Sequence, residues 1–270
     1  MSASVRLGTQ GWNFPAWVGE FYPLGTRRAE WLRIYARAFP TVEVDSTFYA
    51  TPAEPVVRAW RDQAPAGFQF SLKIPQAITH ERKLKDCGDL VARFCRRALT
   101  LGDALGPLLV QMSPEFRAAE ATYGLLEAFL ASLPGEIKWA VEFRHPGWLT
   151  QRTLDLLSAR RVALVLADSR WIRRELILDL ALEPTADFGY VRWVGVHRLN
   201  ADPAQAGDRD REIALWARAL EGLARRVSVV LGYFNNHYQG HAPRSVRTLQ
   251  RQLGQEPVSP AALQEQAELF

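Results

Sequence analysis

The amino-acid sequence predicts one α/β domain of the TIM-type (β/α)8 barrel class, and three observations lead to that prediction. Strand-like segments alternate with amphipathic helical segments along most of the 270 residues, which is the pattern of a parallel sheet covered by helices. Eight such strand segments are present, the number that closes a barrel of this class. Each ends in a polar or charged residue, and such barrels carry their active sites at the carboxyl ends of their strands.

The strand segments are short runs of β-branched, aromatic and other apolar residues, bounded by glycine, proline or polar residues. The first begins close to the N-terminus, and the third alternates apolar and polar residues as a half-buried strand does. The fourth is a near-continuous apolar run, as expected for a strand covered on both faces. In chain order the predicted strands are 5–9, 41–49, 68–73, 107–111, 137–143, 162–167, 190–194 and 227–233.

The helical segments place apolar residues at the i, i+3, i+4 and i+7 positions of one helix face. The first helix has this spacing at Trp31, Ile34, Tyr35 and Ala38. In chain order the predicted helices are one from about residue 28, then 55–63, 90–98, 125–133, 153–160 and 213–224, and a last one whose start is marked by Pro243. Residues 169–187 follow neither pattern, so we expect them to be irregular.

An open doubly wound sheet is the alternative architecture. Such a sheet binds a dinucleotide at a glycine-rich loop after its first strand, whereas this first strand leads into Gly8-x-x-Gly11, which is not that fingerprint. We therefore expect a barrel over residues 1–254 and a C-terminal tail over residues 255–270, where Pro257 and Pro260 interrupt the helical pattern.

Charge and cysteine content indicate which partners and which cellular compartment the protein suits. The net charge of +4 is mildly basic and permits an acidic partner, and arginine, which suits bidentate phosphate binding, dominates the basic residues. Cys87 and Cys95 lie on one predicted helix about 12 Å apart, which is too far for a disulfide. No signal peptide or membrane-spanning run is recognisable. We therefore expect a cytoplasmic protein without a membrane partner.

Polar side chains at the strand ends form the candidate site. The third to seventh strands supply single polar groups or pairs, and Glu43 lies within the second strand, two residues before Asp45, so that both carboxylates share one face. Proximity of strand ends to solvent is the alternative explanation, but it does not account for Glu43. The full set is Gln10, Glu43, Asp45, Lys73, Gln111, Glu142, Arg144, Asp168, Arg192, Asn235 and Asn236.

The cationic members of this set predict an anionic substrate. Lys73, Arg144 and Arg192 would hold a phosphate or a carboxylate, with the arginines offering a bidentate grip. The loop 235–241 precedes a helix, and its backbone N–H groups together with Arg244 would add an anion site.

The carboxylates supply the predicted acid–base chemistry. Glu43, Asp45 or Glu142 would act as the general base and His80 as the acid; the alternative for His80 is an ordinary loop histidine.

The sequence predicts no metal or other cofactor. His237 and His241 have an i, i+4 spacing, but they lack the glutamate and the helix of a zinc-protease motif. A Mg²⁺ or Mn²⁺ ion held by the oxygen atoms of Asp45, Glu142 and Asp168 stays open as an alternative.

Several motifs of the chain resemble those of the YecE-like family, the domain of unknown function 72. They are Gly-Thr-Gln-Gly-Trp at 8–12, Val-Glu-Val-Asp-Ser-Thr-Phe-Tyr at 42–49, Thr-His at 79–80, Val-Glu-Phe-Arg-His at 141–145, Tyr-Val-Arg at 190–192 and Tyr-Phe-Asn-Asn at 233–236. The resemblance implies a TIM-type barrel but no reaction. Two positions depart from the family pattern. Gln10 stands where a serine is common in the family, and Val194-Gly195 stands where His-Gly is expected after the seventh strand. With these motifs, Trp12, Tyr49 and His237 complete the predicted substrate-binding set.

The predicted function is that of a barrel enzyme acting on a phosphorylated or nucleic-acid substrate, with phosphoester hydrolysis favoured. The alternative is a non-catalytic module that binds nucleic acid or an anionic metabolite. The ending Gln266-x-x-Leu269-Phe270 resembles the peptide by which bacterial replication and repair proteins dock on the DNA sliding clamp, which would indicate a role in DNA maintenance. Alternatively, Leu263, Ala267 and Phe270 form the apolar stripe of a last helix.

Overall fold

The computed structural model describes residues 3–195 and 209–265, and it confirms the barrel prediction. Its strands form one eight-stranded sheet in the order β1-β8-β7-β6-β5-β4-β3-β2, with every recorded pairing between neighbours parallel. An isolated parallel bridge between Gln10 and Glu43 joins the two edges beyond β1. The sheet is therefore a nearly closed barrel rather than an open doubly wound sheet.

Each predicted strand and helix has a counterpart in the structure. The strands are β1 Ser4–Thr9, β2 Thr41–Val44, β3 Gln69–Lys73, β4 Leu105–Gln111, β5 Trp139–Glu142, β6 Ala163–Ser169, β7 Phe188–Gly195 and β8 Val229–Phe234. The helices are α1 Trp31–Ala38, α2 Glu54–Gln63, α3 Gly88–Ala98, α4 Glu120–Ser132, α5 Gln151–Ala159, α6 Arg174–Asp179, α7 Asp210–Ala224, α8 Ala242–Gln252 and α9 Pro260–Glu265.

Three segments differ from the prediction. The second strand ends at Val44, and Asp45–Phe48 forms a 3₁₀ turn. The loop expected around His80 is a π-helical turn, Ala77–Glu81. The stretch 169–187, expected to be irregular, contains α6. The sequence reasoning missed these short elements because each is too short to display a repeating apolar pattern.

Alternation along the strands separates an inner from an outer layer. On β6, Ala163, Val165 and Ala167 belong to the small cluster inside the barrel, whereas Leu164 and Leu166 belong to the larger cluster under the helices. This is the period of two expected for a strand. The same alternation points every second residue of the other strands into the barrel. The polar residues of the candidate site lie at its carboxyl end.

The barrel closes where β1 approaches β2, and a glycine permits this approach. A Cβ atom on Gly8 would lie 2.0 Å from the carbonyl oxygen of Thr41, so no other residue fits without moving the backbone. Inside the barrel the Tyr233 hydroxyl forms hydrogen bonds with the hydroxyls of Thr41 (2.9 Å) and Ser71 (2.7 Å). These bonds satisfy the polar groups of the interior below the candidate site.

Further sequence predictions concern the cysteines, membrane-spanning segments and the C-terminal tail. Cys87 and Cys95 are buried free thiols, so the prediction that they form no disulfide is confirmed. None of the described helices is both long and apolar enough to cross a lipid bilayer. In the tail, Leu263 on α9 is buried, and Gln266, Leu269 and Phe270 lie outside the described residues.

Candidate active site

A cavity of about 400 Å³ lies among the residues at and just beyond the carboxyl ends of the strands. Its walls combine side chains from strand ends with side chains from the turns that follow them. Nine of the predicted site residues line it: Gln10, Asp45, Tyr49, Lys73, His80, Gln111, Arg144, Arg192 and Asn235.

Arg192 on β7 is the centre of the charged network. Its Nη2 donates to Oε1 of Glu43 (2.7 Å) and its Nε to Oε2 (2.9 Å). Its Nη1 donates to Oε2 of Glu142, and its Nη2 lies 3.5 Å from Oδ1 of Asp45. Glu43 and Asp45 therefore both lie within ion-pair distance of Arg192.

Glu43 and Glu142 lie beneath the cavity, not on its wall. Their side chains are 0% and 1% exposed, and neither lines the cavity. A general base must reach the proton that it abstracts, so their burial disfavours the predicted role of these two residues as bases. They hold Arg192 in place instead, because a buried charge is tolerated only when it is paired.

The two buried carboxyl groups differ in protonation although they share one arginine. Burial by itself would raise the pKa of Glu142, but Arg192 and Arg144 together lower it to about 2. Burial raises the pKa of Glu43 to about 7, against the attraction of Arg192. Glu142 is therefore the permanent anion of the pair, and Glu43 titrates near neutral pH.

Arg144 connects the buried network to the cavity. Its Nε donates to Oε1 of Glu142 (2.9 Å) and its Nη2 to Oε1 of Gln111 (2.8 Å). Its side chain is 19% exposed, so the guanidinium is anchored on one side and faces the cavity on the other. An anchored guanidinium offers a bound anion a fixed geometry.

Lys73 is a buried amine on the cavity wall. Its Nζ lies 3.7 Å from the ring centroid of Phe48, and within the described part of the chain no carboxylate forms an ion pair with it. Burial lowers the pKa of Lys73 to about 8, with Asp45 acting in the opposite direction. This ammonium therefore releases its proton much more readily than an ordinary lysine does.

The surroundings of His80 disfavour its predicted role as the acid. Burial, followed by the charges of Lys73 and Arg144, lowers the pKa of His80 to about 4, so the imidazole is neutral at neutral pH. Its Nδ1 lies 2.8 Å from the Thr79 hydroxyl, and its ring meets Phe48 edge to face at 5.0 Å. His80 contributes a neutral polar wall to the cavity.

Asp45 is the carboxylate that remains available. Because β2 ends at Val44, the side chain of Asp45 leaves the barrel interior and is 33% exposed. Among the described residues it is the one acidic side chain that lines the cavity. Of the three predicted bases, it is therefore the one that can contact a bound substrate.

Amide side chains complete the opposite wall. The Nδ2 of Asn235 donates to Oε1 of Gln10 (2.8 Å), and the Nε2 of Gln10 donates to the backbone carbonyl of Tyr233 (3.3 Å). Both amides line the cavity. Gln10, one of the two departures from the family motif, is thus held in a fixed position by β8.

Asp168 was predicted to be part of the site, but it faces the helices. Its Oδ2 accepts hydrogen bonds from Nε of Arg174 and Nε1 of Trp216, both at 2.8 Å. Asp168 is in phase with Leu164 and Leu166, which pack under the helices, so the alternation on β6 turns it outward. Asp45, Glu142 and Asp168 do not converge, and no cluster of potential metal ligands occurs within residues 3–195 and 209–265.

Three other predicted residues lie away from the cavity. Trp12 packs edge to face against Trp60 and Phe70, at 5.7 and 6.3 Å. Asn236 accepts a hydrogen bond from Nε1 of Trp17 (2.9 Å) and so fixes the turn after β8. His237 is exposed and does not line the cavity. All three stand in turns, where spacing in the sequence does not reveal the direction of a side chain.

The anion site predicted around the loop 235–241 has fewer free donors than expected. The amide of Ala242 donates to Oδ1 of Asn236 (3.1 Å), and the amide of Arg244 donates to Nδ1 of His241 (3.3 Å). Side chains of the loop itself therefore cap α8, and these two amides are not left for a phosphate.

Seven residues that line the cavity were not among the predicted site residues: Phe48, Gln76, Ser169, Arg170, Trp171, Val194 and Gly195. Ser169 could have been found, because it is in phase with the inward-facing Ala167. Arg170 is exposed and its guanidinium carbon lies 4.4 Å from the ring centroid of Trp171. Both follow β6 in the stretch that showed no periodic pattern, so no signal placed them.

Sequence comparisons identify relatives along nearly the whole chain. The profile of the family described as "Protein of unknown function DUF72" matches residues 6–268. UPF0759 protein YecE of Escherichia coli (strain K12) is 37% identical over 171 residues, which cover 62% of this chain and 60% of that relative. The match thus spans less than two thirds of the relative's length.

Structural comparisons show the same barrel fold in other proteins. The crystal structure of a DUF72 family protein from Thermotoga maritima MSB8 aligns with a TM-score of 0.79 at 24% identity, covering 93% of this chain and 100% of that chain. A psychrophilic glycoside hydrolase family 10 endo-beta-1,4-xylanase aligns with a TM-score of 0.55 at 10% identity, covering 92% and 96%. At such identities the likeness establishes the barrel fold alone.

Proposed function

The chain belongs to the DUF72 family of unknown function, and on that premise we propose that it is a barrel enzyme that hydrolyses a phosphoester bond in the cavity at the carboxyl ends of its strands. The substrate carries its phosphate among the basic side chains of that cavity. A nucleic-acid substrate, and with it a role in DNA maintenance, falls within this proposal.

One observation carries the proposal: the excess of positive charge on the cavity wall. Four basic side chains line it, namely Lys73, Arg144, Arg170 and Arg192, against Asp45 as the one acidic side chain among the described residues. The buried Glu43 and Glu142 neutralise at most two further charges, so the cavity keeps a net positive charge. A positively charged cavity with anchored guanidinium groups favours a phosphate ligand.

The geometry supports a simple sequence of proton transfers. Asp45 takes a proton from a water molecule whose oxygen attacks phosphorus, and the bond between phosphorus and the leaving oxygen breaks. The Lys73 ammonium gives its proton to that leaving oxygen, which departs as an alcohol. The guanidinium groups of Arg144 and Arg192 stabilise the negative charge on the remaining phosphate oxygens.

The buried carboxyl groups act through the arginines that they hold. Glu43 and Glu142 fix Arg192 from opposite ends of its guanidinium, and Glu142 also fixes Arg144. Such support keeps the contacting groups within the narrow tolerance that catalysis needs. We therefore assign Glu43 and Glu142 as positioning residues.

Glycoside hydrolysis, the activity of the xylanase with a similar fold, fits the cavity less well. That reaction requires two carboxyl groups, one on each side of the scissile bond. Here Asp45 lines the cavity, whereas Glu43 and Glu142 are buried beneath it. The available groups supply one base and several cations, a combination that suits phosphoryl transfer.

The test is hydrolysis of p-nitrophenyl phosphate and bis(p-nitrophenyl) phosphate, with and without Mg²⁺ or Mn²⁺, by the wild type and by Asp45→Asn. We expect Asp45→Asn to lower kcat by about 10²- to 10⁴-fold, the usual contribution of a general base. Asp62→Asn is the matched control, because Asp62 is an exposed aspartate paired with Arg61 outside the cavity.

Two outcomes would overturn the proposal. Equal turnover by the wild type and Asp45→Asn would remove Asp45 from the mechanism. Saturable binding of phosphate by a wild-type protein that turns over neither ester would replace hydrolysis with the non-catalytic binding module.

A further inference from the structure

We propose that a second cavity next to the first binds the neighbouring nucleotide of a single-stranded nucleic acid, so that the substrate class is a single-stranded polynucleotide. This inference rests on the proposed function, because it places the reacting phosphate in the cavity with Asp45 and Lys73.

The second cavity measures about 540 Å³ and is formed by the turns after β2 and β3 and by one face of α3. Its lining includes the apolar residues Ala50, Pro52 and Leu90 and the basic residues Arg93 and Arg97. Tyr49 lines both cavities. One aromatic side chain therefore forms the wall between the two binding volumes, and a single ligand can contact both.

Tyr49 is suited to stack on a nucleobase. Its side chain is 75% exposed, and the neighbouring Phe48 supports it edge to face with ring centroids 5.5 Å apart. Proteins that bind single strands stack successive bases on exposed aromatic side chains, and such stacking tolerates any base. In a duplex the bases are paired and stacked inside the helix, so a base reaches Tyr49 from a duplex only after it is unpaired and flipped out, at a cost of a few kcal/mol that a single strand does not have.

Arg93 supplies the cation for a second phosphate. It is exposed, and within the described residues no acidic side chain forms an ion pair with it. Arg97, which lines the same cavity, is instead bound to Glu54, which also pairs with Arg58. Of these two lining arginines, Arg93 is therefore the one that is free to bind phosphate.

The order of these groups matches the order of groups along a polynucleotide. The first cavity offers cations to one phosphate, Tyr49 lines both cavities as a surface for a base, and Arg93 lines the second cavity alone and can bind the next phosphate. The apolar residues of the second cavity suit a sugar or the edge of a base. A simple phosphate monoester would leave the second cavity empty.

The test is fluorescence anisotropy with labelled oligothymidylates of one, two and six nucleotides at two salt concentrations. We expect the hexanucleotide to bind the wild type at least tenfold more tightly than the mononucleotide. Tyr49→Ala should weaken hexanucleotide binding about 5- to 100-fold, in line with the loss of one stacked base, and Tyr49→Phe should preserve it. Arg93→Ala should weaken it and reduce the salt dependence by about one phosphate contact.

Arg96→Ala is the matched control, because Arg96 is an exposed arginine on the same helix that does not line the cavity. Equal binding of one and six nucleotides by the wild type would overturn the inference, and so would losses in Tyr49→Ala and Arg93→Ala no larger than in Arg96→Ala. Equal or tighter binding of a duplex would also overturn it.

The two proposals fail separately. Bis(p-nitrophenyl) phosphate tests the first cavity, because it carries no second phosphate to bind at Arg93. Turnover of this ester without length-dependent binding of oligothymidylate contradicts the second cavity only, and length-dependent binding without turnover contradicts hydrolysis only.

Discussion

The Arg192 guanidinium meets the Glu43 carboxylate across the barrel, with Nη2 and Nε 2.7 and 2.9 Å from its two oxygens. Arg192 is on β7 and Glu43 on β2, two strands that are not neighbours in the sheet. The pair is buried and links opposite walls of the barrel just below the cavity. It therefore couples the stability of the barrel to the geometry of the candidate site.

Replacing Arg192 should destabilise the protein strongly. Arg192→Met keeps much of the side-chain volume but leaves Glu43 and Glu142 without their shared partner. Removing one member of a buried ion pair costs about 3–5 kcal/mol, so we expect the free energy of unfolding to fall by that amount in urea titrations. Arg58→Ala, which breaks an exposed pair with Glu54, should cost less than about 1 kcal/mol. A loss in Arg192→Met no larger than this would contradict a structural role for the pair.

Glu43 should make stability depend on pH between about 4.5 and 7. Burial raises the pKa of Glu43 from 4.5 in the unfolded chain to about 7 in the folded protein. Below pH 4.5 Glu43 is protonated in both states. Between pH 4.5 and 7 the unfolded chain ionises while the folded protein stays protonated, so the free energy of unfolding falls as pH rises. Above pH 7 Glu43 is ionised in both states, and the loss is complete. The full effect of such a shift is about 3 kcal/mol.

Glu43→Gln should remove this dependence, since the amide is neutral at every pH. Urea unfolding of both proteins at pH 5 and pH 7.5 measures it, and the difference between the two proteins isolates Glu43. His80 has the opposite effect: because its pKa is lowered in the folded protein, the free energy of unfolding falls as pH falls from 6.5. His80 is present in both proteins, so its contribution cancels in their difference. Parallel pH profiles would show that Glu43 is ionised throughout.

The sequence was sufficient to predict the barrel and most of the cavity wall. Strand ends in a barrel converge by topology, so residues such as Lys73 and Gln111 could be grouped without coordinates. Alternation within a strand could have excluded Asp168, which is in phase with outward leucines. The sequence could not predict how deeply each side chain is buried. Glu43 and Asp45 are two residues apart, yet β2 ends between them at Val44, so that Glu43 is buried and Asp45 is 33% exposed.

The C-terminal motif stays a prediction, since Gln266, Leu269 and Phe270 lie outside the described residues. If these residues dock on a DNA sliding clamp, Leu269 and Phe270 enter an apolar groove. We expect purified clamp to bind the full-length protein, and the double variant Leu269→Ala/Phe270→Ala to lose that binding. Glu268→Ala, a change between the motif positions, should bind normally. Binding that survives the double substitution would end the idea.

Lys73 should set the alkaline limit of activity. As the acid that protonates the leaving oxygen, Lys73 must carry its proton, and burial lowers its pKa to about 8. The value of kcat/KM for a dithymidylate, whose alkoxide leaving group must be protonated, should therefore fall as pH rises through about 8.

Substitution of this lysine gives the sharpest form of the prediction. Lys73→Arg keeps the positive charge, but a guanidinium does not release its proton in this range, so we expect a lower kcat and no descending limb near pH 8. Lys138→Arg, a change at an exposed lysine outside the cavity, should leave the profile of the wild type unchanged. An alkaline limb that persists in Lys73→Arg would assign the proton donor to another group, because the guanidinium stays protonated throughout this pH range.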